Sequence, residues 1–521
     1  MVEFATMKTP TQPLSRDDWA KLILGLVLFF GIIVRIFPGL LARFPLNDGG
    51  MFLIMIRDLR ANHFLLPAYT TYNFSNIPFA YPPLGFYVAA ILSSLGIPDI
   101  EVLHWLPAII NFSSIIAFYF LAKELFKDSP RAAVAAAIYG LTPDSFGWQI
   151  MGGGLTRSFG VLFILLALLS VYKMFQRGEW KFVFLSALFC SLAFLSHPEV
   201  SLATVTGCAL FWLFFGRTKR GVLQAALVSI GVVLLTAPWW GSVLIHNGLA
   251  PFEAVFHSGA YGGFPLWDFL AEWFHLDVWR AIFHMLAIIG IVWNLWNRKF
   301  FLPVWMLLPY FVEPRSASAF AYFPACIMAA QAIVDVFPLT VDWLNRKRGK
   351  ETSSVDFVER KGLSLALFGL LFLWFVQSTF YDFALVNTSL VPPMPEQAMN
   401  WVQVNTPKGT QFLVLTGNDG VMTDPIQEWF PAFSQRRSQT TLQGLEWTLG
   451  NDFFPRLNQL ASLQLCQTVA CVEKWSDETQ LSYTDILVEK SSQTQPILDS
   501  LKSDTRYKLI YDNPKYAVFE K

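Results

Sequence analysis

Charge is what this sequence has least of. Of its 521 residues, 15% are charged and 54% are hydrophobic, whereas a typical soluble domain carries about 25% charged residues. That shortage excludes an ordinary soluble enzyme. The 38 basic residues are balanced by 38 acidic ones, so bulk electrostatics give no reason to expect a nucleic-acid partner. Internal repeats and low-complexity segments are missing as well. Cysteine is scarce: Cys190, Cys208 and Cys326 lie in apolar runs as small core residues, which leaves Cys466 and Cys471 in a polar region. The first apolar run lacks a small-residue cleavage site. Arg35, Pro38 and Arg43 follow instead, so it reads as a retained helix and not as a signal peptide.

What is abundant is apolar sequence. Runs such as LILGLVLFFGIIV and LSLALFGLLFLWFV recur from residue 21 to about residue 380, and about 20 apolar residues suffice to cross a bilayer. Clustered Lys and Arg follow the segments 103–122, 158–172, 200–215, 279–296 and 317–338. By the positive-inside rule these loops are cytoplasmic, and the Lys-poor loops between them are outside. The alternation holds only if YPPLGFYVAAILSSLG (81–96) does not cross, so it is expected to lie on or dip into the outer leaflet. About eleven spans remain, at 20–37, 103–122, 132–149, 158–175, 181–196, 200–215, 221–244, 277–296, 300–312, 317–338 and 362–380.

Three regions follow from this count. Residues 1–19 form a cytoplasmic tail and 20–381 an all-α polytopic membrane domain with a first outer loop at 38–102. Residues 382–521 form a small C-terminal extracytoplasmic α/β domain. In that last region PEQAMNWVQV and TQPILDSLKS have a helical pattern. TQFLVLTG, YTDILVE, YKLIYD and YAVFEK have that of strands. On an oxidising face, Cys466 and Cys471 are compatible with a disulfide. The balance of features suits a multi-pass protein of a prokaryotic plasma membrane, with its N-terminus inside.

Ionisable residues then sort to the outer face: Asp48, Arg57, Asp58, Arg157, His197, Glu199, His246, Glu253, His257, Glu313 and Arg315, with Arg35 near the outer end of the first span. Charge at membrane depth costs several kcal/mol unless it pairs or works. Asp48 sits in FPLNDGG, where Gly49 and Gly50 let backbone and substrate approach closely. A solvated turn is the competing reading. The following MFLIMIRDLRANHF, apolar at Met51, Phe52, Ile54, Met55 and Leu59, suits an interfacial helix along the membrane surface.

NDGGMFLIMIRDL, YPPLGFYVAAIL and the later GGGLTRSFG together resemble the GT-C class of membrane glycosyltransferases. Within it the pattern is similar to the catalytic subunit of oligosaccharyltransferase, the protein O-mannosyltransferases and the lipid A aminoarabinose transferases. The resemblance implies an essential acidic residue at the start of a long first outer loop, many spans, and a polyprenyl-phosphate or pyrophosphate sugar donor. Two departures from oligosaccharyltransferase stand out. Gly154-Leu155-Thr156-Arg157 replaces a second acidic motif, and no tryptophan-rich acceptor motif occurs in the C-terminal region. Glycosylation of asparagine sequons is therefore not expected.

The chemistry needs one base and cations for the departing phosphate. Asp48 is the candidate base. Arg315, Arg157 and Arg35 are candidates for the donor phosphate, since a guanidinium can pair two phosphate oxygens. Headgroup anchoring and a structural Glu313–Arg315 pair are the competing readings. Asn47, Glu313 and His257 are candidates for support. His197 and Glu199, with Asp48, could hold a divalent cation such as Mg or Mn, or cap a tight hairpin. The loop 246–275, with Tyr261, Gly262 and Gly263, is read as either a mobile lid or a passive surface loop. The partners implied are a lipid-linked sugar, an acceptor of unspecified kind and membrane lipids. A transporter or flippase of lipid-linked saccharides is the main rival, and a non-catalytic receptor or assembly factor is the third reading.

Overall fold

The computed structural model describes residues 15–258, 264–274, 280–349 and 360–521. Helix α1 (Arg16–Ala42) is capped by the Ser15 hydroxyl. Two short helices follow, α2 (Gly50–Ala61) and α3 (Leu84–Ser94), before the long α4 (Asp99–Phe126) and shorter α5 (Ser129–Leu141). Next come α6 (Gly154–Arg177), α7 (Trp180–Phe194), α8 (Pro198–Phe215) and α9 (Lys219–Asn247). The small helices α10 (Ala250–Ser258) and α11 (Pro265–Phe274) precede α12 (Ala281–Trp296), α13 (Phe301–Val312), α14 (Ala317–Gln331), α15 (Phe337–Lys347) and α16 (Lys361–Val386).

Each of the eleven expected spans overlaps a helix among the described residues. Seven helical stretches are long and apolar enough to cross a bilayer: 16–42, 99–126, 154–177, 198–215, 219–247, 314–347 and 362–386. The expected spans at 181–196, 277–296 and 300–312 fall on shorter apolar helices. The one at 132–149 ends early, at Leu141, because Thr142 is extended and Pro143 begins a 3-10 turn. Tyr261, Gly262 and Gly263 of the expected lid lie outside the described residues.

Two ends of the bundle differ in chemistry. At one, Glu124 meets Lys127, Lys173 and Arg177, and Asp128 meets Arg16 and Arg131. The other end carries Asp48, because α1 runs from Arg16 toward it and α6 starts there.

The C-terminal region contains α17 (Met394–Asn405), α18 (Pro425–Ser434), α19 (Phe453–Gln464), α20 (Val469–Thr479) and α21 (Gln495–Ser503). They surround a five-stranded sheet of β1 (Gln411–Leu415), β2 (Arg437–Ser438), β3 (Asp485–Glu489), β4 (Lys508–Asp512) and β5 (Tyr516–Glu520). The strand order is β2-β1-β3-β5-β4, parallel from β2 to β3 and antiparallel beyond. Alternate residues of β1 and β3 go to opposite faces. Leu413, Leu415, Ile486 and Val488 join a core with α19, α20 and α21. Phe412, Val414 and Leu487 face the other way, into a core shared with α2, α3 and α18. Cys466 and Cys471 are joined by a disulfide.

That shared core corrects the expectation for α2. Met51, Phe52, Ile54, Met55 and Leu59 are buried, and so are Leu53 and Ile56 on its other side. Protein from α3, α18 and the sheet covers this helix where lipid headgroups were expected. At its end Arg57 and Arg60 both pair with Asp99 of α4, at 3.1 and 2.7 Å. Asp58 accepts hydrogen bonds from both Thr70 and Thr71. These charges serve the fold of the loop.

Candidate functional site

Asp48 lies in a turn that ordinary residues resist. Asn47 before it has φ +53° and Gly49 after it φ +130°, and positive φ is costly for residues with a Cβ. The turn is threaded against the 152–154 glycine triplet. Gly152 N–H donates to the Leu46 carbonyl at 2.9 Å. A Cβ on Gly152 would collide with the Asp48 carbonyl, and one on Gly153 with the Asp48 carboxylate. The glycines of GGGLTR are thus dictated by close approach.

The carboxylate itself is held at both oxygens. Gly153 N–H donates to Oδ1 at 2.7 Å, and Arg157 Nη2 donates to Oδ2 at 3.0 Å. Arg157 is fixed in turn: its Nε donates to the Trp148 carbonyl at 3.0 Å, and its guanidinium lies over the Trp148 ring, 4.1 Å from the centroid. Asp48 and Arg157 are 20% and 13% exposed in their side chains, so the pair is sheltered yet open to a reactant.

A second group adjoins this pair. Tyr81 stands edge-on to His197, with ring centroids 5.9 Å apart. Burial pushes the Tyr81 phenol well above its usual value, with the nearby Arg157 charge opposing. His197, buried at the start of α8, lies 3.9 Å from Glu199. Burial brings its pKa down to about 4, so the ring is neutral at physiological pH. Glu199 accepts a hydrogen bond from the Ser316 hydroxyl and faces Arg315 Nε at 3.7 Å. Burial, reinforced by the Glu199 charge, lifts Glu313 to about 7 while its Oε2 accepts from Ser316 N–H at 2.6 Å. Arg315 is half-exposed, at 47%, and keeps its cationic head near solvent. Beside Glu313 a small apolar hollow is lined by Ile164, Gly207, Trp305, Pro309 and Phe320 among others.

Two expected participants are placed elsewhere. Arg35 is buried, with Nε on Asn111 at 2.6 Å and Nη1 on the carbonyls of Gly31 and Gly140. It ties α1 to α4 and α5 and does not join the Asp48 cluster. His257 is exposed at the end of α10, against the Phe256 ring. Asn47 supports the turn mainly through its backbone, its carbonyl accepting from the Trp429 indole at 3.0 Å. The divalent-cation set does not fit. Among the described residues no three His, Cys, Asp or Glu side chains are grouped for a metal, and a cation on Asp48 Oδ2 would have to displace Arg157.

Sequence reasoning missed Tyr81, Trp148 and, above all, Glu428. This acid lies in the C-terminal domain, yet its Oε1 accepts from Gly49 N–H at 2.9 Å and Met51 N–H at 3.4 Å. Burial, with the Asp48 charge as second cause, raises it to about 8. No local pattern announces a partner nearly four hundred positions away. The signal was the QEWF segment itself, a carboxylate inside an otherwise apolar helix.

Comparison with known proteins agrees with this layout. The family model described as dolichyl-phosphate-mannose-protein mannosyltransferase matches residues 80–241. A search of curated proteins found no match. Among solved structures, the apo oligosaccharyltransferase of Archaeoglobus fulgidus is similar at 14% identity and TM-score 0.54, over 90% of this chain and 69% of its own. The archaeal enzyme AglB from the same organism, in complex with an inhibitory peptide and a dolichol-phosphate, is similar at 14% identity and TM-score 0.52, with the same coverage. Apo ArnT from Cupriavidus metallidurans is similar at 14% identity and TM-score 0.53, over 96% of this chain and 98% of its own. The chain therefore has the GT-C fold and is an integral membrane protein.

Proposed function

We propose that this chain is a glycosyltransferase that moves a sugar from a polyprenyl-phosphate or pyrophosphate donor to an acceptor at the outer membrane face. The observation that carries the reading is the hold on Asp48, whose two oxygens meet Gly153 N–H and Arg157 at the mouth of the bundle. A carboxylate so fixed, with a guanidinium at its side, supplies a base and a phosphate ligand within one step of each other. The similarity to a structure holding dolichol-phosphate supports a lipid-phosphate donor. Loop charge supports placing the Asp48 end outside.

In the reaction, Asp48 Oδ2 takes the proton of the acceptor's nucleophilic group. The acceptor atom bonds to the anomeric carbon while the bond from that carbon to the phosphate oxygen breaks. The lipid phosphate leaves with the electron pair. Arg157 exchanges Asp48 for the phosphate as the donor arrives, and Arg315 meets it from the other side. His197, being neutral, and Tyr81 offer hydrogen bonds to sugar hydroxyls.

Purified protein in nanodiscs, given labelled polyprenyl-phosphate sugar and an acceptor mixture, is expected to release polyprenyl phosphate. Passage of the donor across sealed vesicles with no such release would identify a carrier and overturn the reading.

A further inference from the structure

We infer that the C-terminal domain is part of the catalytic apparatus: Glu428 and Trp429 of α18 are positioning residues that hold the Asn47–Met51 turn so that Asp48 is presented correctly. The inference rests on the reading of Asp48 as base. It concerns what gives that base its geometry.

The contacts bracket Asp48 on both sides. Trp429 Nε1 donates to the Asn47 carbonyl at 3.0 Å, immediately before it. Glu428 Oε1 accepts from Gly49 N–H at 2.9 Å and from Met51 N–H at 3.4 Å, immediately after it. Those amides belong to the start of α2, where N–H groups lack partners within the helix. Strained backbone persists only where its surroundings over-determine it, and the positive φ values at Asn47 and Gly49 flank Asp48. The approach is close enough to demand glycine. A Cβ on Gly50 would lie 2.5 Å from the Glu428 carbonyl oxygen, and one on Gly49 3.2 Å from the Trp429 ring. That same Glu428 carbonyl accepts from the Tyr72 hydroxyl at 2.7 Å, so the first loop and α18 lock together over the turn.

A merely structural clamp would not need an acid. Glutamine offers the same accepting oxygen without the cost of burying an ionisable group near Asp48. The charged and titratable groups facing Glu428 are Asp48 from the turn, Arg157 from α6 and Tyr72 from the first loop. Ionisation of Glu428 therefore changes the field at Asp48 directly, and its neutral form is the one compatible with a charged Asp48 close by.

The test compares Glu428→Ala, Glu428→Gln and Trp429→Phe with wild type and Asp48→Asn in the full chain in nanodiscs. Release of polyprenyl phosphate from labelled donor gives kcat and KM from pH 5.5 to 9.5. We expect Glu428→Ala to lose about 10²-fold in kcat, as a base misplaced by about 1 Å does, with donor KM within a factor of about two. Glu428→Gln should restore kcat at neutral pH and remove an ionisation near pH 8 from the kcat profile. Trp429→Phe, which removes the N–H donor together with part of the buried indole, should lower kcat with KM unchanged and serves if Glu428→Ala does not fold. Wild-type kcat in Trp429→Phe together with a wild-type pH profile in Glu428→Gln would overturn the inference while inactive Asp48→Asn left the base intact. Full activity of Asp48→Asn would instead overturn the underlying reading.

Discussion

At Gly153 one methyl group is enough to probe the site. The residue has φ −66° and ψ −12°, a helical conformation that alanine adopts freely, so substitution strains no backbone. Its new Cβ would collide with the Asp48 carboxylate. Gly153→Ala is expected to cut turnover by about 10²-fold with little change in melting temperature, measured on the same preparation. Arg157→Lys tests the cation: a lysine keeps the charge but loses the fork and the stack on Trp148. Activity should fall while donor KM rises, as steady-state kinetics would report. Residues of this kind were legible in part. Asp48, Arg157, His197 and Arg315 stood out because charge is rare in this chain and each lies beside an apolar run. Arg35 showed the same signature, but its partners are the Asn111 side chain of α4 and the backbone carbonyls of Gly31 in its own helix and Gly140 in α5, which no sequence pattern displays.

Among the elements, α2 and α18 decide how the two halves meet. The apolar periodicity of α2 was visible, but what covers it was not, since a hydrophobic face reads the same against lipid or protein. Residues 426–430 bury Ile426, Trp429 and Phe430 against that face and bring Glu428 to the turn. The strands of the C-terminal sheet were legible from alternation, whereas β2, of two residues, is too short for any period. The Cys466–Cys471 bond closes a small loop between α19 and α20 on the far core. Replacing both with serine is expected to cost about 2 kcal/mol, read as a lower denaturation midpoint, with transfer kinetics unchanged because neither residue approaches the Asp48 turn.

For the molecule as a whole, the separation of charge is the organising fact. Basic residues gather at one end of the bundle, and the Asp48 cluster with the C-terminal domain occupies the other. The interface between bundle and domain carries its own pH dependence. Glu428 is raised from 4.5 to about 8 in the folded chain, so folding favours its protonated form. Its contribution to stability is complete below about pH 4.5 and is lost as pH rises toward 8. Thermal unfolding of wild type should therefore weaken across that window relative to Glu428→Gln, which has no proton to lose.

Single-turnover transfer from labelled polyprenyl-phosphate sugar, followed at saturating donor in wild type and Asp48→Asn, reaches the assigned base most directly. A general base contributes about 10²–10⁴-fold, so Asp48→Asn is expected to bind donor normally and transfer slower by that factor. Equal single-turnover rates in the two proteins would contradict the assignment of Asp48.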